Sequence, residues 1–170
     1  MRALFVGLTL AVLIAPLGVA EEKNGLQVTI ARKTLDRNDR RTGSYYYYSD
    51  RIDRTQGLKV TVKNVSFKGM PEGELTWTLL VKKYSGGTTE GYTGKETLKA
   101  LKPAETVEMV IGSAEVRGWN DMSGQVKDKI EHQVVINQGG KETLRISSTP
   151  GFDAMAKHAS FSTPTQRPAP

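Results

Sequence analysis

Apolar residues recur at every second position along most of this chain. "LQVTIAR" (26–32) sets Leu26, Val28 and Ile30 against Gln27 and Thr29, and "GLKVTVKNV" (57–65) sets Leu58, Val60 and Val62 against Lys59, Thr61 and Lys63. In "ELTWTLLVKKY" (74–84), Leu75, Trp77, Leu79 and Val81 share one face while Thr76 and Thr78 take the other. "ETVEMVIG" adds Val107, Met109 and Ile111; "KIEHQVVIN" adds Ile130, His132, Val134 and Ile136; "KETLRISS" adds Leu144 and Ile146. A period of two marks strands with one face in a core and the other in water. Turn signals separate the runs: "KGMPEGE", "SGGTTEG", "LKPAE" and "NQGGK". In the last of these Gly139 and Gly140 can take positive φ, so residues 137–141 are predicted to close a hairpin. No ten-residue amphipathic helix stands out. "KETLKALKPAE" comes nearest, but Pro103 cuts it short, and a strand-to-strand connection is expected there.

Adding the tyrosine-rich stretch near residue 45 and a weak strand at 91–95 gives seven to eight strands. The pattern predicts an all-β fold, an immunoglobulin-like antiparallel β-sandwich with Trp77 buried; an open barrel is the alternative. The chain has no cysteine, so there is no disulfide, no thiolate metal site and no cysteine nucleophile. Beyond Pro150 the alternation stops. Residues 151–170 are expected to form a loosely ordered tail, ending in a disordered proline-rich close.

The first twenty residues carry a different pattern. Arg2 gives a short positive start, Ala3 to Ile14 are apolar apart from Gly7 and Thr9, and Pro16 follows. Gly18 and Ala20 then place small residues three and one before Glu21. This is the layout of a secretory signal peptide over residues 1–20, cleaved after Ala20. A retained membrane helix is the competing reading, but the apolar stretch is short for a span. With no comparable segment elsewhere, no membrane span is expected after cleavage. The protein is expected to be secreted, or periplasmic within the cell envelope, with one sandwich domain over residues 21–150. The net charge of the whole chain is +6, which favours acidic surfaces only weakly because acidic and basic residues alternate in most segments.

Candidate chemistry is sparse. The two histidines, His132 and His158, are far apart and lack metal-motif spacing. His132 is expected to be a partly buried, hydrogen-bonded ring. "GSAEV" and "MSGQV" lack the glycine spacing of a nucleophile elbow, and "SGGTTEGYTG" has no phosphate-loop lysine. "DRNDR" (36–40) interleaves arginines where a calcium loop needs oxygens. "NVS" at Asn64 is formally a glycosylation acceptor. No catalytic residue, metal site or cofactor is therefore expected.

The tyrosines remain. "RTGSYYYYSDR" (41–51) holds four of the six tyrosines in the chain. In a strand, Tyr45 and Tyr47 face one way and Tyr46 and Tyr48 the other, so one pair can pack on the core while the second needs a neighbour. Tyrosine and arginine are enriched at binding hot spots. Arg41, Tyr45, Tyr46, Tyr47, Tyr48 and Arg51 are the candidate binding surface, with Trp119 in the loop-like "VRGWND" as a further candidate. Strand preference alone also explains tyrosines here. Nucleic acid is not an expected partner, given export and the interspersed aspartates.

The stretch "DRIDRTQGLKVTVKNVSFKGMPEGELTWTLLVKK", the cleavable leader and the cysteine-free sandwich together resemble secreted bacterial immunoglobulin-like proteins, some of them encoded beside type IV pilus machinery and likened to archaeal pilins. The resemblance runs from Arg51 to Ile146. It implies an envelope or pilus-associated structural or adhesion role without catalysis, exercised on an envelope protein or by self-association. A type IV prepilin keeps its apolar helix for assembly, whereas here the small residues of the cut follow the apolar stretch, which sets this chain apart from a polymerising major pilin. The alternative function is a carbohydrate-binding module that recognises acidic glycans by aromatic stacking and arginine pairing.

Overall fold

A computed structural model describes residues 19–44, 47–121 and 124–162. Of the expected leader, Val19 and Ala20 fall within that range, and they open the first strand. The alternating runs become strands β2 (Leu26–Arg37), β4 (Tyr47–Asn64), β5 (Gly73–Lys82), β6 (Thr89–Leu98), β7 (Thr106–Asp121), β9 (Lys129–Gln138) and β10 (Lys141–Ser147). Between and beside them lie β1 (Val19–Lys23), β3 (Arg40–Ser44), β8 (Gly124–Lys127) and β11 (Ser160–Phe161). The strand count thus exceeds the expected seven to eight. The four short additions have no alternating pattern, since each rides on the edge or end of a longer strand.

Two sheets form. One runs β1-β2-β4-β7-β8, with β3 also paired to β4; the other runs β10-β9-β5-β6-β11. In the lettering of immunoglobulin domains, β2, β4 and β7 are A, B and E, facing the C, F and G strands β5, β9 and β10. Among the described residues every strand pairing is antiparallel except that of β11 with β6. The all-β sandwich is therefore the observed architecture. Its core lies between the sheets: Leu26, Val28, Ile30, Leu58, Val60 and Val62 from one, and Leu75, Trp77, Leu79, Val81, Val134 and Ile136 from the other. The β9–β10 hairpin closes as the glycines predict, with Gln138 paired to Lys141 and φ of 56° and 75° at Gly139 and Gly140.

The C-terminal segment departs from the expected loose tail. A short helix, α1 (Phe152–Lys157), lies on β9, Phe152 is buried, and Asp153 accepts a hydrogen bond from Gln133. Leu80 is also fully buried, although its position in the alternation turns it away from the core. A six-residue helix, fewer than two turns, is too short to show as a periodic pattern. The last eight residues, 163–170, lie outside the described residues.

Bulges shape the first sheet. On β7, Gly112 and Ser113 intervene where β4 spends only Gly57, because Gln56 pairs with Ala114 while Leu58 pairs with Ile111. Gly112 has φ of 69°, and a Cβ on Gly57 would sit 2.5 Å from the Gly112 carbonyl oxygen, so both positions require glycine. A second bulge on β2 falls at the same level, between Thr34 and Asp36. Past these bulges the sheet continues as four strands in the order β3-β4-β7-β8. We call this the extension.

Candidate functional site

The extension brings part of the predicted surface together. Arg40 pairs with Arg51, Arg51 with Trp119, and Trp119 with Val126, so four strands contribute one residue each to a single cross-strand row. Trp119 is 39% exposed and Val126 55%. Neighbours in such a row have Cβ atoms about 4.5–5.5 Å apart, close enough for ring, guanidinium and isopropyl group to act as one surface. Trp119 therefore lies in a strand and not in a loop as its sequence context suggested.

A residue that the sequence did not single out holds this row. Asp128, buried at 4% exposure, accepts the backbone N–H of Tyr84 at 3.0 Å and that of Arg117 at 3.1 Å. Its carboxylate also meets the Lys83 ammonium at 3.5 Å. One buried side chain thus ties the β5–β6 turn of the second sheet to β7 in the extension. The tie places the Tyr84 hydroxyl where the Trp119 indole N–H donates to it, at 2.8 Å. Tyr84 is itself 38% exposed, so the two rings add a polar junction to the apolar surface.

A groove of about 300 Å³ is lined by Arg37, Arg40, Arg41 and Arg54 together with Asp39, Asp50, Asn120 and Gln125. Because Asp50, Asn120 and Gln125 alternate with Arg51, Trp119 and Val126 along their strands, it opens mainly on the other face of the extension. Its centre is Asp39, which takes hydrogen bonds from Arg54 Nε at 3.0 Å and Arg37 Nε at 2.7 Å. The Arg54 hydrogen bond, joined by those of Arg37 and the Asp53 amide, holds the Asp39 carboxyl well below the usual carboxylate range. The "DRNDR" aspartate is thereby committed to arginines. Among the described residues no cluster of three or more histidine, aspartate or glutamate side chains is placed to hold a metal ion.

Of the tyrosines, Tyr47 and Tyr48 are the first two residues of β4, paired with Ser44 and Gly43. Tyr45 and Tyr46 lie outside the described residues. Arg41 is exposed on β3 and pairs with Asp50. The remaining singled-out residues divide clearly. His158 caps the end of α1 and is exposed. His132 points into the sandwich beside Leu79, is 4% exposed, and has no hydrogen-bond partner at either ring nitrogen, which corrects the expected hydrogen-bonded ring. Asn64 is fully buried and so cannot present its amide to a glycosylating enzyme in the folded chain.

No family model matches the chain, and neither does any curated protein sequence. Among similar solved structures is a β-glucuronidase of Bacteroides uniformis, at 13% identity and a TM-score of 0.37 over 69% of this chain. The chain spans 12% of that enzyme's length. A protein of Akkermansia muciniphila is 12% identical with a TM-score of 0.36, covering 88% of this chain and 87% of its own. Northeast Structural Genomics Consortium target SoR45 is 14% identical with a TM-score of 0.29, covering 76% and 90%. Likenesses this distant carry no argument about activity. Among the described residues no helix is long and apolar enough to cross a membrane.

Proposed function

We propose that this protein is an exported, non-enzymatic structural or adhesion module of the bacterial envelope, of the pilus-associated kind, acting through protein contacts made by its extension. The observation that carries this reading is the Arg51–Trp119–Val126 row, which exposes a tryptophan between a guanidinium and an aliphatic group on an ordered sheet. Tryptophan and arginine dominate interface energetics because each combines large area with a polar handle. β8 ends its sheet, and its outer backbone edge offers a partner strand further hydrogen bonds.

Trp119→Ser and Arg51→Ser, made separately, are each expected to weaken association with the envelope partner by about 2 kcal/mol, roughly 30-fold. Unfolding midpoints measured alongside should shift little, since both residues are partly in water. The double variants Tyr45/Tyr47→Ser and Tyr46/Tyr48→Ser complete the set: one is expected to lose association and the other stability. Loss of stability alone in all of them would assign the surface to packing.

The arginine groove supports a second reading, recognition of acidic glycans. A glycan array separates the two. The protein-contact reading expects no uronic or sulfated sugar to bind. Strong binding that is lost in Arg40→Ser and Arg41→Ser would make this a carbohydrate-binding module.

A further inference from the structure

At the opposite end of β4 the chain presents one apolar side chain in full. Phe67, in the β4–β5 loop, is completely exposed. The loop that carries it is firmly built. The buried Asn64 amide nitrogen donates to the carbonyls of Lys68 at 2.8 Å and Lys102 at 3.1 Å, and its oxygen accepts from the Ser66 N–H at 2.9 Å and hydroxyl at 2.7 Å. Val65 N–H donates to Gly25, Ala104 N–H donates to Asn64, and Met70 and Leu101 exchange backbone hydrogen bonds. The "NVS" that reads as a glycosylation site is thus the lock that binds this loop to the β6–β7 connection.

That lock also joins the Phe67 loop to a second lysine-bearing segment. The Lys68 and Lys102 carbonyls meet at one amide group, and Lys99 lies in the same connection as Lys102. All three side chains are exposed, and none is ion-paired among the described residues. An exposed aromatic ring on a preordered loop, with three exposed lysines against Glu72 and Glu105 in the two segments that Asn64 joins, fits a surface that offers an apolar layer beneath a layer of anions. A bilayer with anionic headgroups has that construction: aromatic rings settle at the interface, and nearby lysines meet the lipid phosphates. The chain's net charge of +6 favours the same encounter. A second copy fits less well, because the groove at this end is lined by polar and small residues such as Glu72, Glu74, Thr97 and Asn137.

We propose that the Phe67 loop docks this protein on an anionic lipid surface. Thirteen residues of β4 separate Arg51 from Asn64, about 43 Å at 3.3 Å per residue. Docking through Phe67 would hold the Trp119 row at that distance from the lipid, facing a partner. The proposal does not depend on what that row binds.

The test is co-sedimentation of the exported protein with vesicles of phosphatidylcholine alone or mixed with phosphatidylglycerol. Binding is expected on the mixed vesicles only, and to weaken as salt rises. Phe67→Ser should reduce it about tenfold or more, the weight of one aromatic side chain leaving water. Replacing Lys68, Lys99 and Lys102 with glutamine should abolish it, with circular dichroism unchanged in both variants. Trp119→Ser must bind vesicles as the parent does, which keeps this test separate from that of the protein-contact surface. The proposal is overturned by absent binding, by equal binding to phosphatidylcholine, or by equal binding of Phe67→Ser. Self-association that Phe67→Ser abolishes, with vesicles unbound, would assign the ring to a second copy instead.

Discussion

Trp77→Ala is expected to lower unfolding stability by about 3–5 kcal/mol, the range for a large aromatic removed from a core. The structure explains why the upper part of that range applies. Trp77 is 6% exposed and sits in a space that two glycines create. A Cβ on Gly94, its cross-strand partner, would lie 2.4 Å from the indole ring, and one on Gly112 would lie 3.2 Å from it. Neither glycine can fill the hole, so the cavity persists when the ring is lost. The indole N–H has no hydrogen-bond partner, so Trp77→Phe should cost far less than alanine. A denaturant titration checks both variants. A loss below about 1 kcal/mol for Trp77→Ala would mean the core does not depend on this ring.

Stability should also fall as the solution is acidified from pH 7 to 4, with His132 as the cause. Burial, reinforced by the nearby Arg32 charge, pushes its pKa down from 6.5 to about 4. The unfolded chain binds a proton near pH 6.5, whereas the folded chain resists until about pH 4. Between those values the unfolded state carries more protons, so folding stability rises with pH and is lost on acidification. The full effect is about 3 kcal/mol, of which about 2 should be visible by pH 5. His132→Leu should flatten that window and be no less stable at pH 7, because two unpaired ring nitrogens leave the core. An unchanged pH profile in His132→Leu would shift the cause to the carboxylates.

The sandwich was legible because its longer strands each bury one face, and that burial writes a period of two into the sequence. Trp77 and the Gly139–Gly140 turn followed from the same local rules. The extension was not legible. "RRTGS" and "GQVK" have little to bury, so their strand character comes from pairing with β4 and β7 and leaves no mark in their own residues. Arg51 and Trp119 stand out in the sequence only as candidates; the register that sets them side by side does not show there. Tyr84 and Asp128 leave no local signal, because their link spans 44 residues and depends on how the sheets meet. Asn64 misled for a related reason: a sequon is a local string, and the carbonyls that consume its amide belong partly to residues 101 and 102. For His132 the inward position was readable, while the lack of any partner was not.

The central claim is that the extension is where this module meets its protein partner. Photo-crosslinking in intact cells tests it directly, with a photoreactive amino acid replacing Val126 at the end of the Trp119 row. Val110, 47% exposed on β7 before its bulge, serves as the control position. A discrete protein adduct from position 126, absent from position 110 and lost when Arg51→Ser is added, is the predicted result. No adduct from position 126, or the same adducts from both positions, would contradict the claim.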